Sequence, residues 1–444
     1  MNMMHVFRPD REVSLTVPPR AAFLPVVTAF AEKSALSFGL AKAEALSLTL
    51  ASEEIFSHLT GPGAAADNVT LTCRDGFYYA ELKFSFQTRF FNMRAFNLTS
   101  SVACDGDELP AEAGLLIAAR MVDKIRARYG EDRLEITFRK DKVYPETAPG
   151  EIPLPGPLSA PVVKTPDAET LKLFSRLLMR HAPKGSCPRD FLIPGKLADM
   201  AASGEYGVAV AEDARGSLGG GIAWWREGSG LVEFFGPYLF GQPQGVATGR
   251  HLVEACIAAI AKSDVSGIYS RLPSPFLPVE YFEILGSLID TAANGAVETP
   301  VYYRQIREDE GGVSWVHPLL EAFLRESCER LAFAREVRLT QEEGEASYPY
   351  SVLSATFNKS RGRAVLRPVW WGRDAASNLE DHIHSILREI PGIALFFEID
   401  LGRPWQAPFA PLLLDAGFHP RVMLPAGGRG DVVLFQYAAG GRRP

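Results

Sequence analysis

Two stretches of this chain carry the same strings in the same order, and that repetition limits the fold more than any other feature. A strand-like segment ending PYLFG (237–241) has a counterpart ending PVWWG (368–372). Each is followed by a helical pattern, residues 249–262 and then 378–390. Each helix leads to a strand opening Gly-Ile, at Gly267 and Gly392. Each strand leads to a short helix ending in glycine, at Gly286 and Gly417. The spacing is 131 residues from Pro237 to Pro368, 125 from Gly267 to Gly392 and 131 from Gly286 to Gly417. The shorter middle spacing falls where the first copy alone carries an extra loop, QPQGVATG. A period this long means tandem domains and not a solenoid. Hairpin-like strands precede the match in both copies: YGVAVAED, SLGGGIAWWR and LVEFFGPYLF, then REVRLTQ, YSVLSATFN and AVLRPVWW. A long helix precedes each set, residues 169–181 and 316–333. Helices flanking a mixed sheet predict an α+β fold.

The chain breaks twice. Residues 145–161, PETAPGEIPLPGPLSAP, read as an extended linker. A softer break lies near REDEGG (307–312). The expected domains are therefore 1–144, 162–306 and 313–444, with 145–161 between the first two. In the first, helical patterns at 21–33 and 42–59 precede two strands, NVTLTCRDG and FYYAELKFSF, turned at Asp75-Gly76. A third helix over 113–129 and the strand RLEITFRK complete the order α-α-β-β-α-β.

With 444 residues, two or three domains are expected. A hydrophobic content of 47% and a charged content of 22% are those of a soluble globular protein. The net charge of -7 and the lack of a long basic run argue against nucleic-acid binding. The start has no apolar core of signal-peptide length, and the most apolar helix is too short for a bilayer. A cytoplasmic protein without membrane contact is expected. Five scattered cysteines without a CxxC predict reduced thiols and no zinc site. Asn68, Asn97 and Asn358 fall in N-x-S/T triplets that such a compartment makes coincidental.

The helix ending ASEEIFSHLT poses a choice. Glu54 and His58 stand at i and i+4 and share a face. They are either an ordinary surface pair or part of a site. The element order and three positions resemble the GHKL (Bergerat) ATP-binding fold, in the branch of anti-sigma-factor serine kinases, across about residues 13–140. That family carries E-E-x-x-x-N on this helix, and His58 stands in the Asn position. The resemblance implies ATP or ADP bound with Mg²⁺ near Glu54, His58, Ser85 and Gly114. Ser85 replaces the Asp that meets adenine, and the phosphate-binding glycines survive only as Glu112-Ala-Gly114-Leu115. Imidazole also suits softer metals than Mg²⁺.

In the second segment, Gln244-Gly-Val-Ala-Thr-Gly249 stands just before a helix. A glycine loop at a helix start offers backbone donors to an anion. The alternative is a ligand-free helix start capped by Thr248. This loop, set between PYLFG and the Gly-Ile strand, resembles the pyrophosphate loop of the GNAT acetyltransferases across about residues 162–306. The resemblance implies acetyl-CoA or another acyl-CoA held by Gln244, Gly245, Ala247, Thr248, Gly249 and Arg250. Ala247 stands where the family has its first glycine. Tyr281-Phe-Glu-Ile-Leu-Gly286 resembles the family's closing F-Y-E-K-L-G-F. It implies a tyrosine that protonates the leaving thiolate, with Tyr281 one place early. Glu233 in LVEFFGPY is the candidate general base for the acceptor amine, or an outward-pointing strand residue. Cys187 lacks a histidine nearby in sequence and is read as unreactive.

The third segment resembles the same fold through IALFFEID, LLLDAGF and the strands RVMLP and DVVLFQY. It has no glycine cradle, Leu413 occupies the Tyr position, and Asp374, Glu380 and Asp381 would repel a diphosphate. It is read as a non-catalytic partner. His382 and His384, at i and i+2, point to different helix faces and predict no metal site. The expected architecture is therefore a GHKL-like α/β sandwich followed by two GNAT-like mixed-sheet α/β domains, able to pair within one chain or between chains. The expected function is acyl-CoA-dependent acylation of a small-molecule or protein amine, regulated through the first domain. The alternative is a non-enzymatic, partner-switching protein of the anti-sigma-factor kind that uses the twin domains as sensor or scaffold.

Overall fold

The computed structural model describes residues 11–60, 68–87, 97, 121–130, 133–148, 150–227, 230–243, 245–292, 295–340, 349–358 and 362–438. The chain forms two compact units. One is built from Val6–Val143 with Gly344–Leu395, the other from Tyr144–Glu343 with Phe396–Pro444. The segment expected as one domain, 313–444, is thus shared between the two.

The first unit starts with β1 (Glu12–Val17), α1 (Leu24–Ser37) and α2 (Lys42–Leu59). β2 (Val69–Asp75), β3 (Tyr79–Gln87), β4 (Lys124–Gly130) and β5 (Arg133–Asp141) follow. The sheet order is β1-β2-β3-β5-β4, antiparallel throughout. The α2 stripe of Leu48, Ala51, Ile55 and Leu59 packs with Leu71, Leu82, Phe84 and Ile136 in one core. The helix expected over 113–129 is corrected from Lys124 onward. KIRARYG alternates charged and less polar residues, the period of a strand, and pairs with β5. The strand EVSLTV at the start, unread in the sequence, pairs with β2.

The later part of this unit holds β15 (Val352–Asn358), β16 (Arg363–Trp370) and α7 (Ala375–Glu389). Val352 lies in the same core as Leu48 and Phe84, and Tyr350, Val369 and Trp370 pack against it. A buried polar knot accompanies them. The Asn97 side chain donates to the Ser351 carbonyl at 2.7 Å and accepts from the Leu353 N–H at 3.0 Å. The Asn378 amide donates to Asn97 Oδ1 at 3.1 Å and to Ser351 Oγ at 2.9 Å.

The second unit holds β6 (Val162–Lys164), α3 (Ala168–His181), α4 (Pro194–Ala202), β7 (Tyr206–Glu212), β8 (Leu218–Glu227), β9 (Leu231–Leu239) and α5 (Gly245–Ile260). β10 (Gly267–Ser270), β11 (Glu283–Ala292), β12 (Gly295–Gln305), β13 (Gly312–Val316), α6 (Glu321–Leu331) and β14 (Arg335–Leu339) come next. β17 (Ala394–Asp400), α8 (Phe409–Asp415), β18 (Phe418–Leu424) and β19 (Val432–Tyr437) close the chain. Its sheet runs β17-β19-β18-β11-β12-β10-β9-β8-β7-β6. The trios β10-β12-β11 and β17-β19-β18 share one order, and both are antiparallel within. They meet where Gly286 pairs with Val422. A Cβ at Gly286 would lie 2.0 Å from the Arg421 carbonyl oxygen, so only glycine permits that approach. The short helix expected to end at Gly286 is therefore corrected: Leu285-Gly286 belongs to β11, and only a 3-10 turn, Val279–Tyr281, precedes it.

Among its described residues the proline-rich stretch carries no regular element, but it is pinned to this unit. Gln242 accepts from the Leu158 N–H at 3.0 Å and donates to the Gly156 carbonyl at 3.2 Å. Among the described residues no helix is long and apolar enough to cross a membrane.

Candidate functional site

β9, α5 and β10 form a strand–helix–strand crossover with the two strands parallel. Their ladder pairs Gly267 with Leu231, Ile268 with Val232 and Tyr269 with Glu233, then stops. It resumes only as a single bridge between Gly236 and Pro273, displaced by one residue. α5 runs back against the strands, so its first turn stands at their carboxyl ends. There the open α/β sheet characteristically receives ligands. The first four N–H groups of a helix have no partner inside it, and the helix dipole adds partial positive charge.

Gly245, Val246, Ala247, Thr248, Gly249 and Arg250 all lie in the first two turns of α5. Val246 and Ala247 are exposed, while Gly245, Thr248 and Gly249 are buried. Gln244 lies outside the described residues, as does Gly114. Thr248 sits inside the helix and not at the cap position proposed for it. Gly249 serves close packing: a Cβ there would lie 2.4 Å from the Phe276 carbonyl oxygen. The loop after β10 thus leans on the helix start, and Ser274 Oγ donates to the Pro237 carbonyl at 2.5 Å to hold it there. Arg250 is engaged with Glu280 at 3.2 Å, and its guanidinium lies 5.1 Å from the Tyr281 ring centroid. Arg304 approaches the same ring at 5.3 Å.

Tyr281 and Glu233 are not brought together. Val232, Phe234 and Ile268 pack with Leu252, Val253 and Cys256 under α5. Alternation then sends Glu233 to the opposite face of the sheet. Glu233 is fully buried. Its Oε1 accepts from Arg271 Nε at 2.9 Å, and its Oε2 from Arg271 Nη2 at 3.0 Å and Trp225 Nε1 at 2.9 Å. Both carboxylate oxygens are spent on this two-pronged pair, so proton abstraction would first require its rupture. Trp225 in turn stacks on Tyr206 at 6.0 Å. Arg271, which this pair needs, was not legible as a partner because the separation in sequence is 38 residues.

One further residue emerges only from the structure. Ser270, the last residue of β10, is fully buried, and its Oγ has no hydrogen-bond partner. It lies two places after Ile268, hence on the α5 face. Its cross-strand partner is Tyr302, which packs under α5 with Phe282.

In the first unit, Glu54 and His58 lie on α2 off its buried stripe. Ser85 is buried, and its Oγ accepts from Arg133 Nε at 2.6 Å. Cys187 is buried, which pushes its thiol up to about 11 and keeps it protonated at neutral pH. Among the described residues, no group of three or more His, Cys, Asp or Glu could hold a metal ion.

No protein-family model and no curated protein matches the chain. Solved structures similar to about a third of it are acetyltransferases. The ribosomal-protein-S5-alanine acetyltransferase from Vibrio fischeri is 14% identical, over 35% of this chain and 98% of its own, with a TM-score of 0.28. An aminoglycoside 6'-acetyltransferase type Ii is 19% identical, over 33% and 98%, with a TM-score of 0.27. A GNAT superfamily phosphinothricin acetyltransferase from Sinorhizobium meliloti, in complex with AcCoA, is 18% identical, over 33% and 89%, with a TM-score of 0.27.

Proposed function

We propose that the second unit binds an acyl-CoA thioester at the start of α5 and passes the acyl group to an amine. The observation that supports this is the crossover itself. A helix start with exposed Val246 and Ala247 stands at the carboxyl ends of two parallel strands whose ladder is interrupted there. Its first-turn amides suit a diphosphate. The break in the ladder suits the narrow arm, with its two amides, that carries the thioester. The amine would attack the thioester carbonyl, form the amide and release the thiolate of CoA. With Glu233 committed to Arg271, the acceptor amine arrives already neutral or loses its proton to solvent.

A second reading is favoured by Phe276. Its carbonyl against Gly249, with Ser274 holding the loop, makes the helix start a packed joint. In that reading the unit is a scaffold, as a partner-switching protein would require.

Thermal unfolding with acetyl-CoA separates the two. At about a hundred times the dissociation constant, a specific ligand adds roughly 2.7 kcal/mol. Gly249 is a poor place for a control variant, since any side chain there displaces Phe276. Ala247→Glu is better: Ala247 is exposed, and an acidic residue in a first helical turn is neutral or mildly stabilising. The acyltransferase reading expects a rise in Tm with acetyl-CoA that Ala247→Glu abolishes while its ligand-free Tm holds. No response in the unmodified chain leaves the scaffold reading.

A further inference from the structure

We infer that Ser270 Oγ is the donor that holds the thioester carbonyl of the bound acyl group; this rests on the acyl-CoA reading above. Ser270 is fully buried and its hydroxyl is without a partner. A buried hydroxyl left unmatched is costly and calls for an explanation. Its position supplies one. It sits at the residue where the β9–β10 ladder fails, one place past the last pair, Tyr269 with Glu233. It faces α5, whose first turn lies over the same strand ends.

Its surroundings select the ligand. Phe234 and Phe282, with centroids 5.4 Å apart, and Tyr302, 6.5 Å from Phe282, pack on the same face. An aromatic wall whose few polar groups are neutral donors, the Ser270 and Tyr302 hydroxyls and the buried Trp224 Nε1, suits an uncharged acceptor with apolar flanks. A thioester carbonyl is such a group. A phosphate is not, because it needs several donors and positive charge. The diphosphate therefore belongs at the amides of α5, and the acyl carbonyl deeper, at Ser270. This places the acyl contact on a residue with no counterpart among Glu233 and Tyr281: the first is tied to Arg271, and the second lies between Arg250 and Arg304.

The experiment compares acetyl-CoA with CoA, which lacks the carbonyl, on the full chain and on Ser270→Ala by calorimetric titration. Binding to the unmodified chain should favour acetyl-CoA. In Ser270→Ala, the Kd for acetyl-CoA should rise about five- to tenfold, the worth of one neutral hydrogen bond, while that for CoA stays constant. The ligand-free Tm should hold or rise, since the variant removes an unpaired polar group; a purely structural serine would lower it. An unchanged acetyl-CoA to CoA ratio overturns the role of Ser270 and leaves the acyl-CoA reading standing. Failure of the unmodified chain to bind either molecule overturns both.

Discussion

The starts of α5 and α7 hold corresponding places in the chain, each following a strand that ends in a Pro-x-x-x-Gly string, yet their polar groups are used in opposite ways. At the start of α7 the groups are knotted together, although one turn further on the buried His382 Nε2 also lacks a partner. The Asp374 carboxylate accepts from the Ser351 N–H at 2.5 Å, Asn378 serves Ser351 and Asn97, and Gly372 presses on the Tyr350 backbone so closely that a Cβ would lie 2.0 Å away. At α5 the first turn carries exposed Val246 and Ala247, and the nearby Ser270 hydroxyl is left over. Polar atoms that satisfy one another make a joint. Polar atoms arranged but unmatched make a place for something else. The sequence difference behind this is plain: GRDAASNLEDH supplies Asp374 and Asn378, whereas QPQGVATG supplies glycine and small residues.

The largest effect is expected at Glu233. Removing one partner of a buried ion pair leaves the other charge stranded and costs about 3–5 kcal/mol. Glu233→Gln should therefore lower the urea midpoint sharply. Were Glu233 the free base suggested by its sequence position, the variant would keep its stability and lose only turnover. That outcome would restore the catalytic assignment and remove the contrast drawn here.

His382 tests the α7 joint next. The ring is fully buried, its Nδ1 lies 2.8 Å from the Asn378 carbonyl, and burial pushes its titration down to about 4. The folded state therefore favours the neutral ring. Its contribution is complete above the unfolded value of about 6.5 and is lost as pH falls from there towards 4. The loss amounts to about 3 kcal/mol. Urea unfolding of the native chain should weaken across that window, and His382→Leu should flatten the decline. An identical slope in both chains would show that the ring is not the cause.

A smaller cost is expected for Asn97→Ala, about 2 kcal/mol. The Leu353 N–H loses its acceptor, and the Ser351 carbonyl keeps only the Asn378 amide. A double-mutant cycle with Asn378→Ala should show positive coupling, because both side chains serve the same carbonyl. Strict additivity would mean that the knot does not bind residues 351–378 to the rest of their unit.

Local periodicity made much of the fold legible. Lys42–Leu59 matches its predicted bounds, the Asp75-Gly76 turn joins β2 to β3, and the crossover of β9, α5 and β10 follows the order of its strings. What escaped depends on contacts distant in sequence. The strand character of Lys124–Gly130 was overridden by a longer helical pattern running into it. Leu285-Gly286 reads as a helix end, but its backbone pairs with Val422 far along the chain. The site divided the same way. The glycine loop was visible as a helix start, while Glu233 could not reveal Arg271 and Ser270 could not reveal its missing partner. Neither fact exists until the strands are placed side by side.

The smallest effect is expected at Glu54 and His58. They share a face of α2 away from Leu48, Ile55 and Leu59, and Ser85, which the ATP-site resemblance would place at the adenine, is bonded to Arg133. Neither substitution opens a cavity or strands a charge in the core, so Glu54→Ala and His58→Ala should each shift stability by no more than about 0.5 kcal/mol. ADP with Mg²⁺ should leave the Tm of the native chain unmoved, because the hydroxyl at position 85 is already committed. A rise in Tm with ADP that Glu54→Ala abolishes would reverse this, and would make the region around α2 a second ligand site comparable to the start of α5.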